Sequence, residues 1–200
     1  MEQDIRVSEN NLNNEQAKTL VESGFFPDIK SVSQALVKIW IGKSLGLNAF
    51  QSLTGIYLTT KGQIGLMASV MSSLIKLNVK YDYHVEELTN TKCAISFYKI
   101  NNLPIQFPPA KNNPPEKELL GQSVFDEKDA ARCGLVNKDT YKSYPRNLLF
   151  ARALANGARF YCPEVICGYH ETSELQDTPE EPIKKTISIT NGEVVDNGNA

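Results

Sequence analysis

Apolar residues recur at helical spacing through much of this chain, and they break into alternation at one place. From Asn10 to Ser23 the apolar positions Leu12, Ala17, Leu20 and Val21 mark a short amphipathic helix, and Gly24 stands where a helix-terminating glycine belongs. Phe25-Phe26-Pro27 then reads as an extended apolar corner. Ser31 or Ser33 can cap a helix carrying Val32, Ala35, Leu36, Ile39 and Trp40, which Gly46 ends. Ile56 to Thr60 has the β-branched and aromatic content of a strand, with a turn at Lys61-Gly62. Helical spacing returns from Leu66 to Leu77, with Met67, Val70, Met71, Leu74 and Ile75 on one side.

Alternation then takes over. Val79 to Val85 and Cys93 to Tyr98 flank the turn Thr89-Asn90-Thr91, which predicts a long hairpin. Five prolines between Asn101 and Glu118 predict a loop or insertion. Asp126, with Asp129 three residues on, is a candidate N-cap for a helix ending at Gly134. Asp139 or Ser143 opens the last helix, with Pro145 in its first turn and Leu148, Ala151, Leu154, Ala155 and Ala158 as its buried stripe. Helices, strands and helices in that order predict an α+β fold rather than alternating βαβ units. The organisation read from this is an acidic helix and linker over 1–29, a core over 30–175 and an acidic, unstructured tail over 176–200.

Composition sharpens the functional reading. The net charge is −2, but it is unevenly spread. Met1–Ile29 carries two basic against six acidic residues and Glu171–Ala200 two against seven, whereas Lys30–Ile100 carries eight against three and Lys128–Arg159 seven against two. Two basic interior blocks between acidic ends point to a polyanion as partner. The first residues have neither the basic nor the apolar stretch of a signal peptide, and the four scattered cysteines form no disulfide framework, so a cytoplasmic setting is expected.

The last helix carries the candidate site. Arg152 and Arg159 lie seven apart, about two turns, with Asn156 between them, so a helix places them on one face. A guanidinium can donate two hydrogen bonds to one phosphate. Tyr141, Lys142, Tyr144 and Arg146 just upstream mix aromatic faces with cations, which suits a single strand. Lys61 and Lys43 are candidates for a second wall of the groove. No GxxxxGK[ST] phosphate loop is present, so ATP use is not expected, and no cofactor is implied. His84 and His170, the two histidines, stand in no nucleophile–base pattern. Two metal sites are candidates, Mg²⁺ on Asp82, Glu86 and Glu87 for a nuclease, and zinc on Cys162, Cys167 and His170 with Cys133.

These motifs have a counterpart. Phe125-Asp126, Asp129-Ala130, Cys133-Gly134-Leu135, Tyr141-Lys142-Ser143-Tyr144-Pro145-Arg146-Asn147-Leu148-Leu149, Ala151-Arg152-Ala153, Ala158-Arg159 and Cys162-Pro163-Glu164-Val165 to Gly168-Tyr169 together resemble the RecT family of phage single-strand annealing recombinases. Gly42 to Leu47 and Thr60 to Ile64 extend the likeness upstream, to about Val32–Leu175 in all. Tyr141 stands where that family often has tryptophan, and Cys133 where it has alanine. The resemblance implies a β-hairpin sheet backed by a long helix, no enzymatic chemistry, and ATP-independent annealing of single-stranded DNA on a homo-oligomeric ring or helical filament. It further implies a partner exonuclease or host single-strand-binding protein, although little chain follows Leu175 to recruit one. The rival readings are a protein-interaction module that counters host defence, which the acidic ends would suit, and a metal-dependent nuclease.

Overall fold

The computed structural model describes residues 14–59, 62–101, 116–176, 187–190 and 193–196. The chain is α+β. Helix α1 (14–22) ends at Gly24, whose φ of +64° is left-handed backbone that glycine adopts without strain. Helix α2 (Val32–Ser44) is capped by the Ser31 side chain, which accepts from the Gln34 N–H at 3.2 Å. Helix α3 (Ala49–Gly55) is absent from the sequence reading. Its start is nonetheless written in the chain, because Asn48 and Gln51 form a reciprocal capping box.

These helices share one apolar cluster of Ala17, Phe26, Ile29, Ala35, Ile39 and Leu53. Residues 14–29 therefore pack onto α2 and α3, and the division drawn at residue 29 is not a break in packing. Inside this cluster lies Lys38, only 3% exposed, whose ammonium donates to Asp28 Oδ2 at 2.6 Å and to the Leu53 carbonyl at 3.2 Å. A buried ammonium needs such partners, since leaving it unpaired would cost several kcal/mol. Trp40, expected in the apolar stripe of α2, is 59% exposed.

Strand β1 (Ile56–Leu58) pairs antiparallel with β2 (Ile64–Leu66), which in turn pairs parallel with the short β6 (His170–Glu171). Helix α4 (Ala68–Leu77) buries Met71 and Ile75. The predicted hairpin is present as β3 (Tyr81–Leu88) and β4 (Lys92–Asn101), and a third antiparallel strand, β5 (Glu116–Asp126), completes the sheet in the order β3-β4-β5. The loop expected up to Glu118 thus gives way to strand at Glu116; its residues 102–115 lie outside the described residues.

Asp126 caps α5 (Glu127–Arg132) through the expected box with Asp129, and Gly134 follows in left-handed backbone at φ +73°. A 3-10 turn (Leu135–Asn137) leads to α6 (Asp139–Ser143). The last predicted helix is in fact two, α6 and the long α7 (Pro145–Tyr161), broken at Tyr144 (φ −138°, ψ 60°). The residue before a proline is pushed out of helical geometry, which accounts for the break. Helix α8 (Pro163–Ile166) and helix α9 (Thr172–Gln176) follow.

Helix α7 lies across β4 and β5. Cys93, Ile95 and Phe97 alternate from β4 into the main core, where they join Leu149, Leu154 and Ala158 of α7 and Met71 and Ile75 of α4. The approach is close because α7 has Gly157 at the crossing. A Cβ there would stand 2.0 Å from the Phe97 ring. The tail expected to be unstructured contains an antiparallel pair, β7 (Ile187–Thr190) with β8 (Glu193–Asp196). Among the described residues, no helix is long and apolar enough to cross a membrane.

Candidate nucleic-acid interface

The sequence reading placed eight residues at the interface, and the structure separates them into three groups. The first group is internal. Arg152 is 8% exposed, with Nη1 3.7 Å from Glu174 Oε1. Arg159 makes a two-pronged pair with the same carboxylate, Nη1 to Oε2 at 2.5 Å and Nη2 to Oε1 at 2.7 Å. Its Nη2 also donates to Asn156 Oδ1 at 2.8 Å. Asn156, read as part of a polar face, instead orients Arg159.

His170 completes the cluster, Nδ1 lying 3.5 Å from Glu174 Oε2. Burial pushes the Glu174 carboxyl up, but the hydrogen bond and charge of Arg159, then Arg152 and His170, outweigh it and hold the group below its ordinary value. Hydrogen bonding to Glu174 raises the Arg159 guanidinium in return. The expectation that both guanidiniums are presented to solvent phosphate is therefore corrected. They bind α9 to α7. The seven-residue spacing was right and the face it builds is real, but Glu174, fifteen residues beyond Arg159, occupies it.

Tyr141 is also internal. It is 8% exposed within the main core, so it offers no stacking face, and burial raises its phenol pKa, with Glu127 and Asp126 adding to the effect. Its hydroxyl is buried and makes no hydrogen bond among the described residues. Lysine 61 lies outside the described residues. Lys43 is exposed in the last turn of α2.

The third group does come together, at the α6–α7 junction. Tyr144 is 65% exposed, and Lys142 and Arg146 on either side of it are exposed as well. The break at Tyr144 turns this tripeptide-spaced set outward at the N-terminus of α7. That terminus has Pro145 in its first turn, no side-chain cap and no acidic residue in the first turn. An uncapped helix N-terminus carries unsatisfied N–H groups and a partial positive charge, and both favour an anion. Asp139, at the start of α6, meets Lys142 at 3.4 Å across an exposed pair, which solvent screens.

Several of the candidate metal ligands are engaged elsewhere. Asp82 is held between Lys76 at 2.6 Å and Lys117 at 2.7 Å, and its carboxyl stays low because these bonds outweigh its burial. Glu87 pairs with Lys92 at 2.7 Å. Cys162 is buried in the main core, and burial pushes its thiol up to about 12. Among the described residues no group of three or more His, Cys, Asp or Glu is placed to hold a metal ion.

Compared with known proteins, the chain matches no family model, no curated protein and no solved structure.

Proposed function

We propose that this chain binds single-stranded DNA and anneals complementary strands without ATP, in the manner of the RecT proteins its sequence resembles. The observation that carries the reading is the exposed Lys142–Tyr144–Arg146 set at the uncapped, acid-free N-terminus of α7. Two cations and a helix terminus suit phosphates, and a protruding phenol ring gives a base a surface to stack on. Such contacts grip the backbone and leave base edges open for pairing, as annealing requires. The antiparallel sheet backed by α7, and the Phe125–Tyr169 motif run that spans β5 to α8, support the same reading. Arg152 and Arg159 have no phosphate role in it. They hold the scaffold that presents the junction.

The test is annealing of labelled complementary oligonucleotides without nucleotide cofactor, beside binding measured across a salt series. Lys142→Ala and Arg146→Ala should each weaken binding to all sequences alike and flatten the log–log salt slope by roughly 0.7–1. Tyr144→Ala should cost about 1–3 kcal/mol of binding. Wild-type protein that neither binds nor anneals single strands at low salt refutes the proposal, and so do cleaved strands in Mg²⁺, which would make it a nuclease.

A further inference from the structure

Helix α2 turns one side inward and leaves the other to solvent. Ala35, Lys38, Ile39 and Gly42 are its buried positions. They seat it on α3, so closely that a Cβ on Gly42 would stand 1.8 Å from the Ser52 hydroxyl. At about 100° per residue, Trp40 falls across the helix from Lys38 and Gly42, with Ser33, Val37 and Ser44 beside it. Trp40 is 59% exposed and Val37 39%. A helix held from beneath thus presents a large flat ring in a fixed place.

The charge carried by this part of the chain has one sign. From Ile29 to Tyr81 there are six lysines and not one acidic residue. Lys38 is engaged with Asp28 in the interior and offers nothing outward. Lys43, three residues beyond Trp40, is its neighbour on the helix surface. It is exposed and enters no ion pair among the described residues. Lys30, just before the Ser31 cap, is exposed in the same way.

An uncompensated lysine beside an exposed indole fits a polyanion that also carries planar rings. A single nucleic-acid strand has both at every repeat, and bases of any identity can stack on an aromatic side chain. A duplex has the phosphates, but each of its bases is already stacked on both faces. An acidic protein segment has the charge without a ring at every repeat.

We propose that the outer face of α2 is a second single-strand contact. Trp40 stacks on an unpaired base and Lys43 meets an adjoining phosphate, so this face separates single strands from duplex. The inference rests on the single-strand reading above and extends it to a surface outside the α6–α7 junction.

Trp40 is the one tryptophan of the chain, so its emission reports this face alone. Full-length protein is titrated with an oligo(dT) strand, binding being read from the anisotropy of a labelled copy and Trp40 from its emission with the unlabelled strand. Quenching should saturate along the binding curve, fall with added salt, and be absent with a blunt duplex of equal length. Trp40→Ala should weaken binding roughly 5- to 150-fold and Trp40→Phe much less. Lys43→Ala should flatten the log–log salt slope by about 0.7. Tyr144→Ala should weaken binding yet still quench Trp40 fully at saturation. Leu77→Ala, at an 81% exposed apolar position at the end of α4, should bind as wild type does. Bound strand with Trp40 unquenched, or Trp40→Ala at wild-type affinity, overturns the inference and leaves the α6–α7 junction standing. Equal quenching by duplex overturns it too, as does emission that shifts with protein concentration in the absence of DNA, which gives the face to another copy. No binding at all removes this contact and the single-strand reading together.

Discussion

Replacing Glu174 by alanine removes the carboxylate on which two guanidiniums and an imidazole converge. Arg152, with its side chain 9% exposed, loses one of its charged neighbours, and Arg159, 31% exposed, loses both of its hydrogen bonds to a carboxylate. Breaking a buried pair on one side costs about 3–5 kcal/mol, because the surviving charge stays desolvated. The low end applies here, since Arg159 can recover water through its exposed third. About 3 kcal/mol on a domain of this size lowers Tm by roughly 6–12 °C. Glu174→Gln, which keeps the shape and one acceptor, should lose less.

Thermal and urea unfolding measure the loss, and a double-mutant cycle with Arg159→Ala isolates the coupling, expected at about 1–3 kcal/mol for groups in one network. Single-strand affinity of the folded variants is measured alongside. A Tm unchanged by Glu174→Ala refutes the clamp. So does an Arg159→Ala protein with wild-type Tm and a large loss of DNA affinity, because Arg159 would then be gripping phosphate rather than Glu174.

The Glu174 carboxyl is held low in the folded protein, so its contribution to stability is present above the unfolded value of about 4.3 and is lost as pH falls through the folded value; acid titration of the wild type should show a destabilising step that Glu174→Gln lacks. Gly157→Ala puts a methyl where the Phe97 ring lies 2.0 Å away in a fully packed core, and should cost about 1–3 kcal/mol in urea unfolding; a neutral result would mean α7 and β4 can part without strain. Tyr141→Phe removes a buried hydroxyl with no hydrogen bond among the described residues, so stability should hold or rise by up to about 1 kcal/mol, and a fall would reveal a partner for that hydroxyl.

Local chemistry made much of the fold readable in advance. Ser31, the Asp126–Asp129 box, Gly24, Gly134 and Pro145 each act within a few residues of themselves, and each does what its chemistry dictates. The β3–β4 alternation likewise announces a hairpin. Two more local signals are written in the chain. Asn48 with Gln51 marks the start of α3, and Asn191-Gly192 between Ile187–Thr190 and Glu193–Asp196 is the commonest two-residue hairpin connection. Strand β5 was harder, since its early residues are mostly polar and exposed and only Ser123 and Phe125 turn inward.

By itself, then, the sequence determined where helices begin and stop, where the chain reverses, and that Arg152 and Arg159 share one face of a helix. Tertiary structure alone decided what that face meets. Helical periodicity fixes directions within an element, but a partner such as Glu174 arrives from a later element, brought back by the β2–β6 pairing and the burial of Leu175. The same holds for Tyr141 and Tyr144, three residues apart. One points into the core and the other to solvent because Pro145 breaks the helix between α6 and α7 there, and the main core, assembled from many elements, is what covers Tyr141.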